Sequence, residues 1–176
     1  MATMISQSLL PEFDHEIANT RKTLERVPEG KPDFRPHPKS MPLARLAGHL
    51  AEIPIWAAMT LSQDEIDVSP AGGAPFEPQV MKSRAEMLTN FDEAVKKARA
   101  TLAATTDDAM MKPWSLKRSG QTIFTMPRVA VMRSFVMNHM VHHRAQLGVY
   151  LRLLEVPLPG LYGPTADEGP PVQQQR

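Results

Sequence analysis

The chain has no cysteine among its 176 residues. Disulfide scaffolding, thiolate metal sites and a cysteine nucleophile of its own are therefore excluded, and any thiol chemistry must use a sulfur carried by another molecule. An excess of charge is missing too. Twenty Lys and Arg stand against nineteen Asp and Glu, and no basic block dominates one segment, which argues against an electrostatic nucleic-acid binder. No apolar run approaches the roughly 20 residues of a membrane span. Residues Met1 to Gln7 show no basic region followed by an apolar stretch, so no signal peptide is expected and the expected location is cytoplasmic. Aromatic residues are scarce at 6%, and no internal repeat is visible.

What remains is a chain with 42% hydrophobic residues, sufficient for one core in one domain. Four helical patterns emerge between Pro-rich joints. The first runs from about Ile5 or Pro11 to Val27, with Phe13, Ile17, Thr20 and Leu24 at helical spacing. Five prolines between Pro28 and Pro42 predict an extended connection. The second helix is expected to begin near Ser40 as N-cap, with Leu46, His49, Leu50, Ile53 and Ala57 on its inner face and a kink at Pro54. Residues 62–82 read as a long loop. The third helix opens on a capping box, Ser83 and Glu86, and continues through Met87, Leu88, Phe91, Val95, Ala98 and Leu102. Asp92–Lys96 and Glu93–Lys97 are acid-before-base pairs four apart. Residues 105–126 read as irregular, with a small hairpin at 114–124 around Arg118-Ser119-Gly120. The fourth helix is expected from Pro127 to about Glu155. The expected fold is an all-α four-helix bundle with long connections over residues 1–168, followed by a disordered tail at 169–176.

Histidines carry the chemistry. His139 and His143 lie four apart, and residues four apart share a helix face. With His139 at zero on a helical wheel, Met132, Phe135, Val136, Gln146, Leu147, Tyr150 and Leu154 fall between roughly −40° and +80°; His143 lies at about +40°, inside that arc, and His142 near −60°, at its edge. The inward pair is thus His139 and His143, while His142 reads as a rim residue or an outer hydrogen-bond donor. His49, on the inner face of the second helix, supplies a third imidazole. Two histidines four apart arise by chance in some helices, and one buried histidine is commonly plain core. Three buried imidazoles without a cation, however, leave acceptor nitrogens short of donors at about 1–3 kcal/mol each. Three neutral nitrogen ligands with a free position make a reactive metal site rather than a closed structural one. Imidazole suits zinc, nickel, copper and iron alike.

Other residues are open to two readings. Glu52, one turn after His49, orients an imidazole N–H, acts as a general base, or is solvated. Arg144 and Arg128 hold an anionic substrate or are surface residues. His15 reads as solvated and His37 as an exposed loop residue near the pocket mouth. Trp56, Trp114, Tyr150 and Tyr162 are core or pocket lining, and twelve methionines give pliable apolar packing. Met137, Val141, Ala145, Gly148 and Val149 make the far side of the fourth helix apolar and small, which implies a central position or a homodimer contact.

At this point the chain resembles the DinB family of metalloenzyme-like proteins. The resemblance rests on His49 within Leu46-Ala-Gly-His-Leu-Ala-Glu-Ile53, on Asn138-His-Met-Val-His-His-Arg-Ala-Gln-Leu-Gly148, on Val149 to Glu168, on Arg35-Pro-His-Pro-Lys-Ser40 and on Phe124-Thr-Met-Pro-Arg128. It implies a four-helix bundle, a homodimer, and a divalent metal, nickel or zinc, held by His49, His139 and His143. It also implies thiol-dependent S-transfer or isomerisation with bacillithiol or mycothiol, or hydrolysis. The leading expectation is a metal-dependent enzyme that activates a small-molecule thiol, with Glu52 and Arg144 as candidate catalytic residues. The alternatives are a metal-dependent hydrolase and a non-catalytic metal-binding stress-response protein.

Overall fold

The computed structural model describes residues 2–168; the tail expected at 169–176 lies outside them. The fold is mostly helical, with α1 (Met4–Leu24), α2 (Leu43–Ser62), α3 (Arg84–Ala104) and a short α4 (Asp107–Met111). A last helical run follows: α5 (Arg128–Val131), a π-helical stretch (Met132–Asn138) and α6 (His139–Leu153). It is not all-α. Strands β1 (Glu65–Asp67), β2 (Pro113–Arg118) and β3 (Gln121–Pro127) form one sheet in that order. The expected hairpin is present and longer than 114–124. Ser119 (φ 51°) and Gly120 (φ 76°) supply the two positive φ angles of a type I′ turn, whose twist suits antiparallel strands. The loop expected at 62–82 contains β1, which pairs parallel with β2 (Ile66 opposite Leu116).

Helix ends also depart from expectation where local chemistry decides them. α1 starts at Met4 and runs through Pro11. Pro11 and Gln7 are both exposed, so the carbonyl that loses its helical donor faces water. α2 starts at Leu43 with Pro42 as N-cap and no side-chain cap, rather than at Ser40. Pro54 sits inside it without ending it. In α3 the Ser83 hydroxyl accepts from the Glu86 N–H at 3.1 Å, which is one of the two bonds of the expected capping box. Asp92 is engaged not by Lys96 but by Arg21 of α1, in a two-pronged contact of 2.8 and 3.0 Å. α6 ends at Leu153, two residues early. Glu155 takes a left-handed φ of 57°, and the N–H groups of Val156 and Glu155 bond the carbonyls of Leu151 and Arg152, a Schellman closure.

α2 packs against α3, α6, α1 and β1, which explains why it is buried on nearly every side while α3 buries only Met87, Phe91, Ala98 and Leu102. Leu46, Leu50 and Ile53 of α2 meet Phe91, Leu102 and Phe13 in one continuous core, and each fully buried side chain of this size stabilises the fold by about 1.5–3 kcal/mol. The sheet caps one end of this core through Ile66, Trp114 and Leu116. The middle of α2 and the start of α6 are thereby fixed against each other, and these are the segments that carry the histidines.

Candidate metal centre

The three inward histidines meet. His49 Nε2 lies 3.3 Å from His139 Nε2, and His143 Nε2 lies 2.8 Å from the same atom. Among the described residues these three form a group able to hold a metal ion. His143 is buried, His49 and His139 are half-buried, and His142 is exposed, so the wheel sorted the fourth-helix histidines as the structure does. His142 stacks edge-on against His143 at 4.9 Å between centroids.

The outer nitrogen of each ring is committed. His49 Nδ1 donates to Glu52 Oε1 at 2.6 Å, and His143 Nδ1 donates to Gln146 Oε1 at 2.8 Å. His139 has a backbone hydrogen bond with Phe135 that favours its protonated ring. A carboxylate and two carbonyl-type oxygens accept and do not donate. The Nε2 atoms are left as the ring nitrogens available to a metal, and the ligand atoms of the three residues lie within 4.8 Å of one another. The donor chemistry fits a divalent ion with imidazole ligands. Burial first of all holds the His143 pKa down to about 4, and His139 is lowered chiefly by burial, then by the neighbouring His49. Burial thus favours the neutral form of His139 and His143, the form in which an imidazole ligates a metal.

Glu52 is not solvated. It is 1% exposed, and its second oxygen accepts from the Gln79 N–H at 2.7 Å. Arg45 binds the Gln79 carbonyl at 3.0 Å and reaches Glu52 Oε1 at 3.3 Å. Gly48 makes this possible, because a Cβ there would collide with the Gln79 carbonyl oxygen. Sequence reading missed Arg45 and Gln79. Gln79 acts through its main chain, which leaves no side-chain signal, whereas Arg45, one turn before His49, was open to inspection.

A π-helical stretch ends immediately before His139. Such stretches recur at functional sites, because the extra residue per turn frees carbonyls and re-aims side chains. Here Phe135 within it packs on the His139 ring at 5.5 Å as well as furnishing the backbone partner.

A cavity of about 460 Å³ opens beside His49, bounded by Arg45, Trp56, Phe76, Leu116, Arg118 and Phe135 among others. Of the four large aromatics considered from sequence, only Trp56 borders it. Trp114 is fully buried under the sheet, Tyr150 donates to the Met41 carbonyl at 3.0 Å, and the Tyr162 hydroxyl donates to Glu16 at 2.7 Å. Arg144 and Arg128 do not border it either. Arg144 is 2% exposed and bonded to Glu16 (2.6 Å), Thr20 and Tyr162. Arg128 pairs with Asp64 at 2.7 Å. His15 accepts from the Asn19 amide at 3.0 Å. His37 is exposed, and its ring accepts from the Lys39 N–H at 3.1 Å.

Comparison with known proteins agrees with this architecture. A DinB-like protein from Bacillus cereus ATCC 10987 superposes with a TM-score of 0.66 at 21% identity, covering 89% of this chain and 97% of the other. A DinB-like protein from Bacillus subtilis gives a TM-score of 0.63 at 17% identity, covering 89% and 99%. No protein of curated function matches. The family model described as "DinB family" matches residues 1–175. The chain belongs to the DinB family.

Proposed function

We propose that this protein is a metal-dependent enzyme that activates a small-molecule thiol and presents it to an electrophile in the cavity beside His49, with S-transfer or isomerisation as the outcome. The observation that carries this reading is the convergence of the Nε2 atoms of His49, His139 and His143 beside that cavity. A divalent ion held by His49, His139 and His143, nickel or zinc with iron also accommodated by imidazole, supplies the positive charge that makes a thiol acidic at neutral pH. The thiol comes from outside because the chain has none. The four long helical segments are read as a four-helix bundle that holds the ligands from facing helices.

The chain's residues do the positioning. Glu52 fixes the tautomer and plane of His49, and Gln146 does so for His143. Trp56, Phe76 and Phe135 form an aromatic wall that excludes water; Trp56 lies 4.8 Å from Phe76 and 5.7 Å from Phe135 between centroids. Glu52 is the carboxylate of the cavity among the described residues, and both its oxygens are engaged. That leaves Glu52 no free oxygen to serve as a general base. The exposed Val149, on the far side of α6, is read as part of a homodimer contact, checked by light scattering at micromolar concentration.

The test is a screen of zinc- and nickel-loaded protein with low-molecular-weight thiols and electrophiles. Turnover that needs both metal and thiol, and disappears in His49→Ala, is the expected result. Turnover without thiol moves the chemistry to hydrolysis, and no metal-dependent turnover overturns the enzyme reading.

A further inference from the structure

The cavity's charge is unbalanced, and the imbalance lies at one residue. Arg45 is matched by Glu52. Lys117, next along β2, is matched by Glu65 at 2.6 Å. Arg118 borders the cavity and is exposed, yet among the described residues it has neither an ion pair nor a side-chain hydrogen bond, although Arg21, Arg99, Arg128, Arg133, Arg144 and Arg152 each hold a carboxylate. Its position is not left to a floppy turn. Asp67 of β1 accepts from three backbone N–H groups, those of Ser69 (2.9 Å), Ser119 (3.0 Å) and Gly120 (2.7 Å). One carboxylate thus ties β1, the loop after it and the hairpin turn together beside Arg118. Gly120 at φ 76° is the residue type that lets the turn present its N–H there.

We propose that Arg118 is the specificity-determining residue of the cavity, and that the substrate is a small molecule with a carboxylate at one end and an apolar body. A guanidinium offers a planar fork matched to a carboxylate. The walls between it and the histidines are Trp56, Phe76, Leu116 and Phe135, which suit an apolar body. Asp67 is a positioning residue: it fixes the backbone turn from which Arg118 extends. The proposal rests on the reading of this cavity as the substrate's, and it adds the substrate's class.

The probes are 4-phenylbutyrate and its uncharged counterpart 4-phenylbutyramide, titrated into zinc-loaded protein and followed by Trp fluorescence and calorimetry. The carboxylate should bind about fivefold more tightly than the amide, the ratio expected for a partly exposed charge pair, and the ratio should shrink as salt is raised. Arg118→Gln should bring the ratio to about one with the amide's affinity unchanged, and Arg118→Lys should restore part of it. Asp67→Asn should lower the ratio while leaving metal content intact. The same titration in His49→Ala separates this inference from the metal reading. A preference that persists there supports Arg118. A preference that survives Arg118→Gln but vanishes in His49→Ala places the carboxylate on the metal and overturns the proposal. Equal binding of acid and amide in the wild type, or no binding of either, overturns it as well.

Discussion

His143 and Arg144 are neighbours on α6, and both are buried polar residues, yet they enter two very different clusters. Arg144 points to α1, where the Glu16 carboxylate and carbonyl and the Thr20 hydroxyl satisfy it, together with the Tyr162 hydroxyl from the segment after α6. That cluster holds a cation and an anion and is complete within the protein. His143 turns toward His49 of α2; its outer nitrogen is bonded to Gln146, three residues on along α6, and its inner nitrogen faces that of His139. That cluster groups three imidazoles able to hold a metal ion. A buried polar group with all its partners belongs to the scaffold; one grouped with others able to hold the same ion belongs to a binding site.

Substitutions that break one cluster should leave the other untouched. His139→Ala has the largest expected effect: metal content by elemental analysis falls from about one ion per chain to near none, and metal no longer raises the melting temperature. Equal metal in wild type and variant would show that the ligand set is wrong. Arg144→Met acts oppositely. It leaves Glu16 charged and unpaired at a buried position, so urea unfolding should show a loss of about 3–5 kcal/mol, with one ion still bound.

These two clusters were not equally legible in the sequence. Spacing of four on one helix face gave His139 and His143, and the apolar neighbours of His49 gave its inward face. Arg144 read as a candidate for substrate binding because a wheel shows direction but not partners; Glu16 lies 128 residues from it along the chain, and Tyr162, 18 residues on, lies beyond the end of its helix. The same limit hid β1, whose three residues are too few for any alternation and whose pairing with β2 is remote in sequence. The π-helical stretch was invisible because one extra residue per turn leaves no mark on a pattern read at 3.6. Local chemistry fared better: Ser83 as N-cap, and Ser119-Gly120 as the turn of a hairpin, were both readable because the causes lie within a few residues.

Glu52→Gln sharpens the comparison by weakening the His49 support without touching a ligand. Metal affinity should fall about 10–100-fold, measured by competition with a chelator. Gly48→Ala should lower it less, by moving the Gln79 main chain away from Glu52. An unchanged affinity in both variants would mean that this carboxylate has no part in the site.

The smallest expected effect is on pH dependence. Burial, together with the charge of its histidine neighbours, holds His143 at about 4 in the folded chain against an ordinary 6.5. The unfolded chain then takes up protons first. Metal-free protein should keep its full stability above about pH 6.5 and lose it as pH falls toward 4. In His143→Gln the urea midpoint should decline less steeply over that window; an identical slope would contradict the burial of a neutral ring.

The central claim is that three imidazoles share one ion and leave a place on it for a sulfur. X-ray absorption at the edge of the bound metal addresses this directly. Three imidazole ligands at about 2.0–2.1 Å with lighter scatterers completing the shell, joined by a sulfur at about 2.3 Å when a small thiol is added, is the predicted result. A shell with fewer than three imidazoles, or one that no thiol can enter, would contradict it.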